Sequence, residues 1–187
     1  MCIRDSPLIP DEAFKHLEQL EYLNATTNLQ ITDAGLSHLK NIKILNLTYC
    51  VQPGITVEKL EKLKTQKLYV DGSKHPIISA IRRLDFNPTS VEDIVKLIEN
   101  VDQLWINAMS GSRHESPLLC ASYRSFDVVK ALILRGANIH AKDLGGWPVL
   151  HSACANKDAI DVLTLLLEHG IDINLSLIHI SEPTRPY

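Results

Sequence analysis

The chain has 187 residues, of which 45% are hydrophobic and 22% charged, and its formal net charge is -3 at pH 7. This slightly acidic balance lacks the basic excess that is typical of nucleic-acid binding. The apolar runs are all shorter than the roughly 20 residues of a membrane-spanning helix. We therefore predict neither a nucleic acid nor a membrane as a partner.

The two ends of the chain are related at the level of their codons. Allowed codons for residues 1–6 and for residues 175–180 can be chosen so that the two DNA strings are reverse complements. Both strings resemble the mosaic end of transposase-based sequencing libraries, and residues 181–185 resemble the adapter arm that follows it. We therefore expect residues 1–6 and 175–187 to be translated adapter that contributes no buried core. The rest is then expected to be a fragment of a longer, metagenomic protein.

The cysteine count indicates the compartment. With the second residue assigned to the adapter, three widely spaced cysteines remain, Cys50, Cys120 and Cys154. They form neither a CxxC zinc pair nor an even-numbered disulfide framework. A reducing compartment is therefore predicted, the cytoplasm of the protein's own cell or of a host cell.

The first of two repeat arrays occupies residues 7–73. Residues 9–17 (IPDEAFKHL) align with residues 31–39 (ITDAGLSHL) at an offset of 22, and a third copy starts at Ile55. One short helix and one short strand per copy cannot bury their own leucines, so neighbouring copies must stack.

A strand of alternating polarity follows each copy. The alternation predicts that Leu23, Leu45 and Leu68 point into the core and that their neighbours point outward. Asn28 and Cys50 fall at the turns that leave the first two strands. These residues resemble the LxxLxLxxN/C pattern of leucine-rich repeats, which implies a short α/β segment of a curved solenoid.

The period changes after the third copy. Three similar apolar runs, each with one buried helix face, open with aspartates 34 residues apart, at Asp93, Asp127 and Asp161. Shorter helices are predicted ahead of these runs, beginning at Pro76, Pro117 and Val149.

A turn motif in this second part carries a further resemblance. Residues 136–143 (GANIHAKD) match the turn of an ankyrin repeat, in which Gly136 ends a helix at positive φ. Residues 146–151 (GWPVLH) match the following G-x-T-P-L-H, except that Pro148 and Val149 replace threonine and proline. Residues 74–174 therefore resemble about three ankyrin repeats, the last one truncated, with a weakened Thr/His capping network.

Sites for catalysis are not indicated by the sequence. His151 and Cys154 lie one helical turn apart, which would suit a Cys/His nucleophile. The ankyrin resemblance instead implies that His151 bonds neighbouring backbone and that Cys154 packs in the core. Asn24 and Asn46 head glycosylation sequons, which are interpreted as incidental. No catalytic residue, cofactor or metal site is predicted.

Together, the two arrays predict a repeat solenoid, a leucine-rich α/β segment followed by an all-α ankyrin helix-turn-helix stack. Rigid concave surfaces lower the entropic cost of binding, so the primary hypothesis is a monomeric, non-enzymatic scaffold for a protein partner. The alternatives are a substrate-recognition arm of a larger enzyme or host-directed effector whose catalytic domain lies outside residues 7–174, and a structural spacer.

Predicted binding residues lie on the outward strand face, at the turn tips and on the inner faces of the first helices. Trp147 is the predicted anchor, since exposed aromatic residues are enriched in binding hot spots. The alternative is that its ring covers the neighbouring repeat. The predicted residues are Tyr22, Asn24, Thr26, Ile44, Asn46, Thr48, Lys67, Tyr69, Asp71, Met109, Arg113, Glu115, Tyr123, Arg124, Lys142, Leu144 and Trp147.

Overall fold

A computed structural model describes residues 2–3, 9–50, 54–84 and 91–172 of the chain. Parallel strands form one sheet in chain order: β1 (Cys2–Ile3), β2 (Tyr22–Asn24), β3 (Ile44–Leu47), β4 (Lys67–Val70) and β5 (Met109–Ser110). A 3-10 helix (Asp11–His16) and the helices α1 (Asp33–Leu36) and α2 (Val57–Lys62) connect the first four strands. The helices that follow are α3 (Pro76–Arg83), α4 (Val91–Asn100), α5 (Gln103–Asn107), α6 (Pro117–Ser122), α7 (Phe126–Leu134), α8 (Val149–Ala153) and α9 (Ala159–Glu168).

The strands stack with the predicted period and the predicted register. Tyr22 pairs with Ile44, which in turn pairs with Lys67. The leucines at positions 23, 45 and 68 are buried in the core, as expected. Consecutive repeats therefore cover one another's apolar faces, which none could bury alone.

Aspartate–threonine pairs join each of these repeats to the next. The Asp11 carboxylate accepts hydrogen bonds from the backbone N–H, at 2.8 Å, and the hydroxyl of Thr32. Asp33 accepts the same two bonds from Thr56, at 3.0 and 2.6 Å. Both threonine hydroxyls also accept a bond from a helix N–H, so they cap α1 and α2. Gly35 packs against the first aspartate, and a Cβ there would collide with its carboxylate.

The first described residues add a strand at the edge of the sheet, where Cys2–Ile3 pairs in parallel with β2. The expectation that residues 1–6 contribute no buried core stays a prediction. Strand pairing uses backbone N–H and C=O groups, so the open edge of a sheet accepts an extended segment of almost any sequence. Residues 175–187 lie outside the described residues.

The second part consists of helix pairs. Helices α3, α6 and α8 begin at the predicted Pro76, Pro117 and Val149, and α6 packs against both α3 and α8. The longer helices α4, α7 and α9 bury one face each, and α7 contacts both others. The sequence also predicts a long loop over residues 85–90, between the first two of these helices, and this segment lies outside the described residues.

One core position in the last helix differs from expectation. The sequence predicts Leu132 and Leu165 as core residues in the second helices of adjacent repeats. Because Asp127 and Asp161 are equivalent, however, the position of Leu132 in α7 corresponds to that of Leu166 in α9. Leu132 and Leu166 are both fully buried, whereas Leu165 is only half-buried.

We expect Leu132→Ala to lower the free energy of unfolding by about 2–5 kcal/mol, because it removes buried methyl groups and leaves a cavity. Urea unfolding followed by circular dichroism measures this change. Leu134→Ala, on the same helix but 74% exposed, is the control and should change stability by less than about 0.5 kcal/mol. Equal effects of the two substitutions would contradict the packing of α7.

The two parts share one sheet and one core. Strand β5 belongs to the second part, yet Tyr69 of β4 pairs with Met109, and Val70 pairs with Ser110. The buried apolar side chains form a single cluster that runs from Phe14 to Ile171.

A buried aromatic pair lies where the two parts meet. Trp105 is fully buried, and its indole N–H donates to a carboxylate oxygen of Glu61 at 2.8 Å. The ring of His75 contacts Trp105 edge-on, with ring centroids 5.2 Å apart. His75 also accepts from the N–H of Ile78 at 3.2 Å, and its other ring nitrogen lies 3.1 Å from the carbonyl of Ala108.

Candidate functional site on the strand and hairpin face

Most of the predicted strand residues share the side of the sheet opposite the buried leucines. Asn24, Asn46, Tyr69 and Met109 form one row across β2 to β5, and each is half-buried. A second row contains Tyr22, Ile44 and the exposed Lys67. We call this side of the sheet, with the hairpin tips at 110–115 and 142–148 and the adjoining surfaces of α6 and α8, the open face.

Thr48 departs from the predicted set because it is buried. Strand β3 ends at the preceding residue, and the alternation of side chains ends with it. The Thr48 backbone N–H and hydroxyl both donate to the Asn46 side-chain oxygen, at 3.0 and 2.7 Å. Thr26, which is half-buried, makes the same turn with Asn24. The sequon-like patterns therefore coincide with a local turn in which the asparagine oxygen is engaged.

Asp71 closes a similar turn after β4. Its carboxylate accepts from the backbone N–H and the hydroxyl of Ser73, at 2.9 and 2.7 Å. Tyr69, two residues earlier, contacts the ring of His114 with centroids 4.7 Å apart. This contact connects the strand row to the first hairpin tip.

Alternating charges form a chain across the hairpin tips. Arg82 of α3 donates to Glu115 at 3.1 Å, and Arg113 lies 3.9 Å from the same carboxylate. Arg113 also donates to Asp143 of the next hairpin at 2.7 Å. This hydrogen bond raises the pKa of Arg113, so its guanidinium stays charged. Burial lowers the pKa of His114, which favours the neutral ring at pH 7.

Asp143 also shapes the second hairpin tip. Its other carboxylate oxygen accepts from the N–H groups of Gly145 and Trp147, both at 2.9 Å. The N–H of Leu144 donates to the carbonyl of Arg113 at 2.8 Å. The backbone of the tip is thus held by several bonds, while Leu144 is 68% and Trp147 48% exposed.

Two expectations for the next helix are wrong. His151 is exposed and its ring stacks on Trp147, with centroids 4.0 Å apart, instead of bonding neighbouring backbone. The same contact shows that the Trp147 ring lies within its own repeat. Cys154 is exposed, because it follows the last residue of α8 and lies outside the buried side of this helix, which consists of Val149, Leu150 and Ala153. Helix α8 lacks a side-chain cap at Pro148, as its departure from the motif predicts.

A groove of about 270 Å³ brings predicted and unpredicted residues together. Arg113, Glu115 and Tyr123 line it, as predicted for the turn tips and first helices. The guanidinium of Arg124 is stacked over the Tyr123 ring, 3.9 Å from its centroid. Lys142 is exposed on the next hairpin, directly before Asp143 in the chain. The remaining lining residues are Leu119, Asp143, His151, Ser152 and Ala155.

The ion pairs that organise this groove were not predicted from the sequence. Asp143 was already identified as the last residue of the turn motif, which was the available signal. Arg82 was not singled out as a partner for Glu115, because 33 residues separate the two in the chain.

The described residues contain no cluster of three or more His, Cys, Asp or Glu side chains that could hold a metal ion. Within the same part of the chain, no helix is both long and apolar enough to cross a membrane.

Helix pairs that stack side by side and carry hairpins at their ends define a helical repeat stack. The ankyrin-repeat pattern matches residues 77–176 as three copies, more than half of the chain. The protein therefore belongs to the ankyrin-repeat family, whose repeats are generally protein–protein interaction modules and typically non-catalytic. A search of curated proteins found no match.

Proposed function

We propose that this protein is a non-enzymatic scaffold that binds a protein partner on the open face. The observation that carries the proposal is the pairing of β4 with β5, together with the contact of Tyr69 with His114. Through them, the outward strand residues and the hairpin tips form one uninterrupted surface. Such a surface, built on a packed core, is organised before the partner arrives, which lowers the entropic cost of binding.

We further propose that residues 7–73 are leucine-rich repeats that supply half of this surface. The buried Asn28 supports this assignment, because its side-chain amide donates to the carbonyl of Ile9 in the preceding copy at 3.2 Å. The buried thiol of Cys50 lies 3.0 Å from the carbonyl of Ala25 and 3.2 Å from that of Asn28. One buried polar residue per turn, bonded to its neighbour's backbone, is what the N/C position of the pattern implies.

A reducing compartment and a monomeric state belong to the same proposal. Cys50, Cys120 and Cys154 are free thiols, and burial raises the pKa of the first two. Buried, protonated thiols pack as small apolar groups. Their packing does not depend on disulfide formation, which is consistent with a reducing compartment.

The hairpin tip at Trp147 is the proposed anchor for the partner. Trp147→Ala and Leu144→Ala should each reduce capture of the partner by about tenfold or more, since a desolvated anchor contributes about 2 kcal/mol or more. Pull-down with the immobilised protein, quantified by mass spectrometry, measures capture.

The matched controls are apolar truncations on the helices α7 and α9. Leu134 is 74% and Ile160 80% exposed, so Leu134→Ala and Ile160→Ala remove similar apolar area away from the open face. They should leave capture unchanged. If both hairpin variants capture the partner as well as the wild type does, this tip is not part of the binding surface; if the wild type captures nothing, a structural spacer is favoured.

A further inference from the structure

The charged groups of the open face are unevenly exposed. Five cations lie on this face or pair with a residue on it, against three anions: Lys67, Arg82, Arg113, Arg124 and Lys142, against Asp71, Glu115 and Asp143. The whole chain carries -3. The open face is thus locally positive on a protein that is acidic overall.

The two anions that line the groove are withdrawn from solvent, whereas their cationic partners are more exposed. The Asp143 side chain is 4% exposed and that of Glu115 18%. Their ion-pair partner Arg113 is 63% exposed, and Arg82 is 40% exposed. A partner approaching the groove therefore meets guanidinium groups before it meets carboxylates.

The guanidinium of Arg113 keeps capacity for a ligand. A guanidinium has five N–H donors, and Arg113 directs a hydrogen bond to one side-chain acceptor, Asp143. Asp143 holds one edge of the group and Glu115 lies 3.9 Å from its Nε, while the Arg113 side chain lines the groove and is 63% exposed, so its remaining N–H groups are accessible there. Pre-orientation of this kind suits the paired acceptor oxygens of another carboxylate.

We propose that the partner segment is an acidic peptide with an apolar side chain, bound across the groove and the second hairpin tip. Its carboxylates pair with Arg113 and the neighbouring cations, and its apolar side chain packs on Leu144 and Trp147. This proposal rests on the proposed function, because it names the chemistry of the partner at that same face.

Nucleic acid is the weaker match for the same charges. A local excess of two positive charges is small beside the about 6–10 phosphate contacts of a typical nucleic-acid complex. The exposed apolar side chains of the hairpin tip also suit a peptide side chain better than a phosphate backbone.

Selection from a displayed random peptide library on the full chain tests the proposal. Selected peptides should be enriched in Asp and Glu around an apolar residue, and their affinity should fall as salt is raised. A selected acidic peptide should lose about tenfold in affinity for Arg113→Gln. It should lose less for Arg113→Lys, which retains the charge. Lys130→Gln removes one charge from α7, outside the groove, and is the matched control.

The outcomes separate this inference from the proposed function. Neutral or basic selected peptides that still need Trp147 would overturn the acidic partner and leave the binding function intact. Equal affinity of the wild type and Arg113→Gln for a selected acidic peptide would also overturn it. A library that yields no binder at the open face would contradict both proposals.

Discussion

Trp105→Ala is expected to lower the free energy of unfolding by about 3–5 kcal/mol, the range for removing a buried aromatic side chain. The ring is completely buried between the two parts of the chain. Its loss leaves a cavity beside His75 and removes the hydrogen-bond donor to Glu61. Urea unfolding followed by circular dichroism measures the change.

The chain contains its own control for this substitution. It has two tryptophans, and Trp147 is 48% exposed. Trp147→Ala should therefore cost far less stability, and Trp105→Phe should fall between, because it keeps most of the volume but loses the indole N–H. If the two alanine variants unfold at the same urea concentration, Trp105 is not the buried contact between the parts.

Acidification is expected to destabilise the protein through His75. Burial is the main cause that lowers the pKa of His75 from 6.5 to about 3. As the pH falls below 6.5, His75 becomes protonated in the unfolded state but stays neutral in the folded state until about pH 3. The free energy of unfolding therefore decreases as the pH falls from 6.5 to about 3. Each pH unit is equivalent to about 1.4 kcal/mol, so the loss is about 2 kcal/mol at pH 5 and approaches about 5 kcal/mol near pH 3.

The comparison between pH 7 and pH 5 isolates this effect, because ordinary carboxylates remain ionised there. His75→Asn keeps an acceptor at the start of α3 but removes the titrating ring. Its unfolding free energy should vary less with pH than that of the wild type. His114, whose pKa burial also lowers, is present in both proteins and cancels in the difference. Parallel pH profiles for the two proteins would contradict a neutral, buried His75.

Several parts of the fold followed from local patterns. The 22-residue offset predicted the strand stacking and the inward leucines, because alternation along a strand assigns side chains to faces. The starts of α3, α6 and α8 followed from proline and from small and apolar residues at helical spacing. Gly136, predicted to end a helix at positive φ, has a φ of 78° at the end of α7.

The candidate site was only partly predictable, for physical reasons that particular residues make clear. Thr48 was assigned outward by alternation, but β3 ends before it and its hydroxyl turns back to Asn46. Leu165 was predicted to lie in the core, but Leu166 is the residue that completes the buried face of α9. Helix α5, which carries Trp105, has five residues and no period to detect.

The two repeat periods, the ankyrin character of the second part and the inward strand leucines could be predicted from the sequence, because periodicity is a property of neighbouring residues. The joining of β5 to the sheet of the first part and the meeting of His75 with Trp105 became evident in the folded structure alone. The same holds for the pairing of Arg113 with Asp143 across 30 residues of chain. Pairing across such distances depends on which surfaces the stacked repeats bring within a few ångströms, and no short stretch of sequence contains that information.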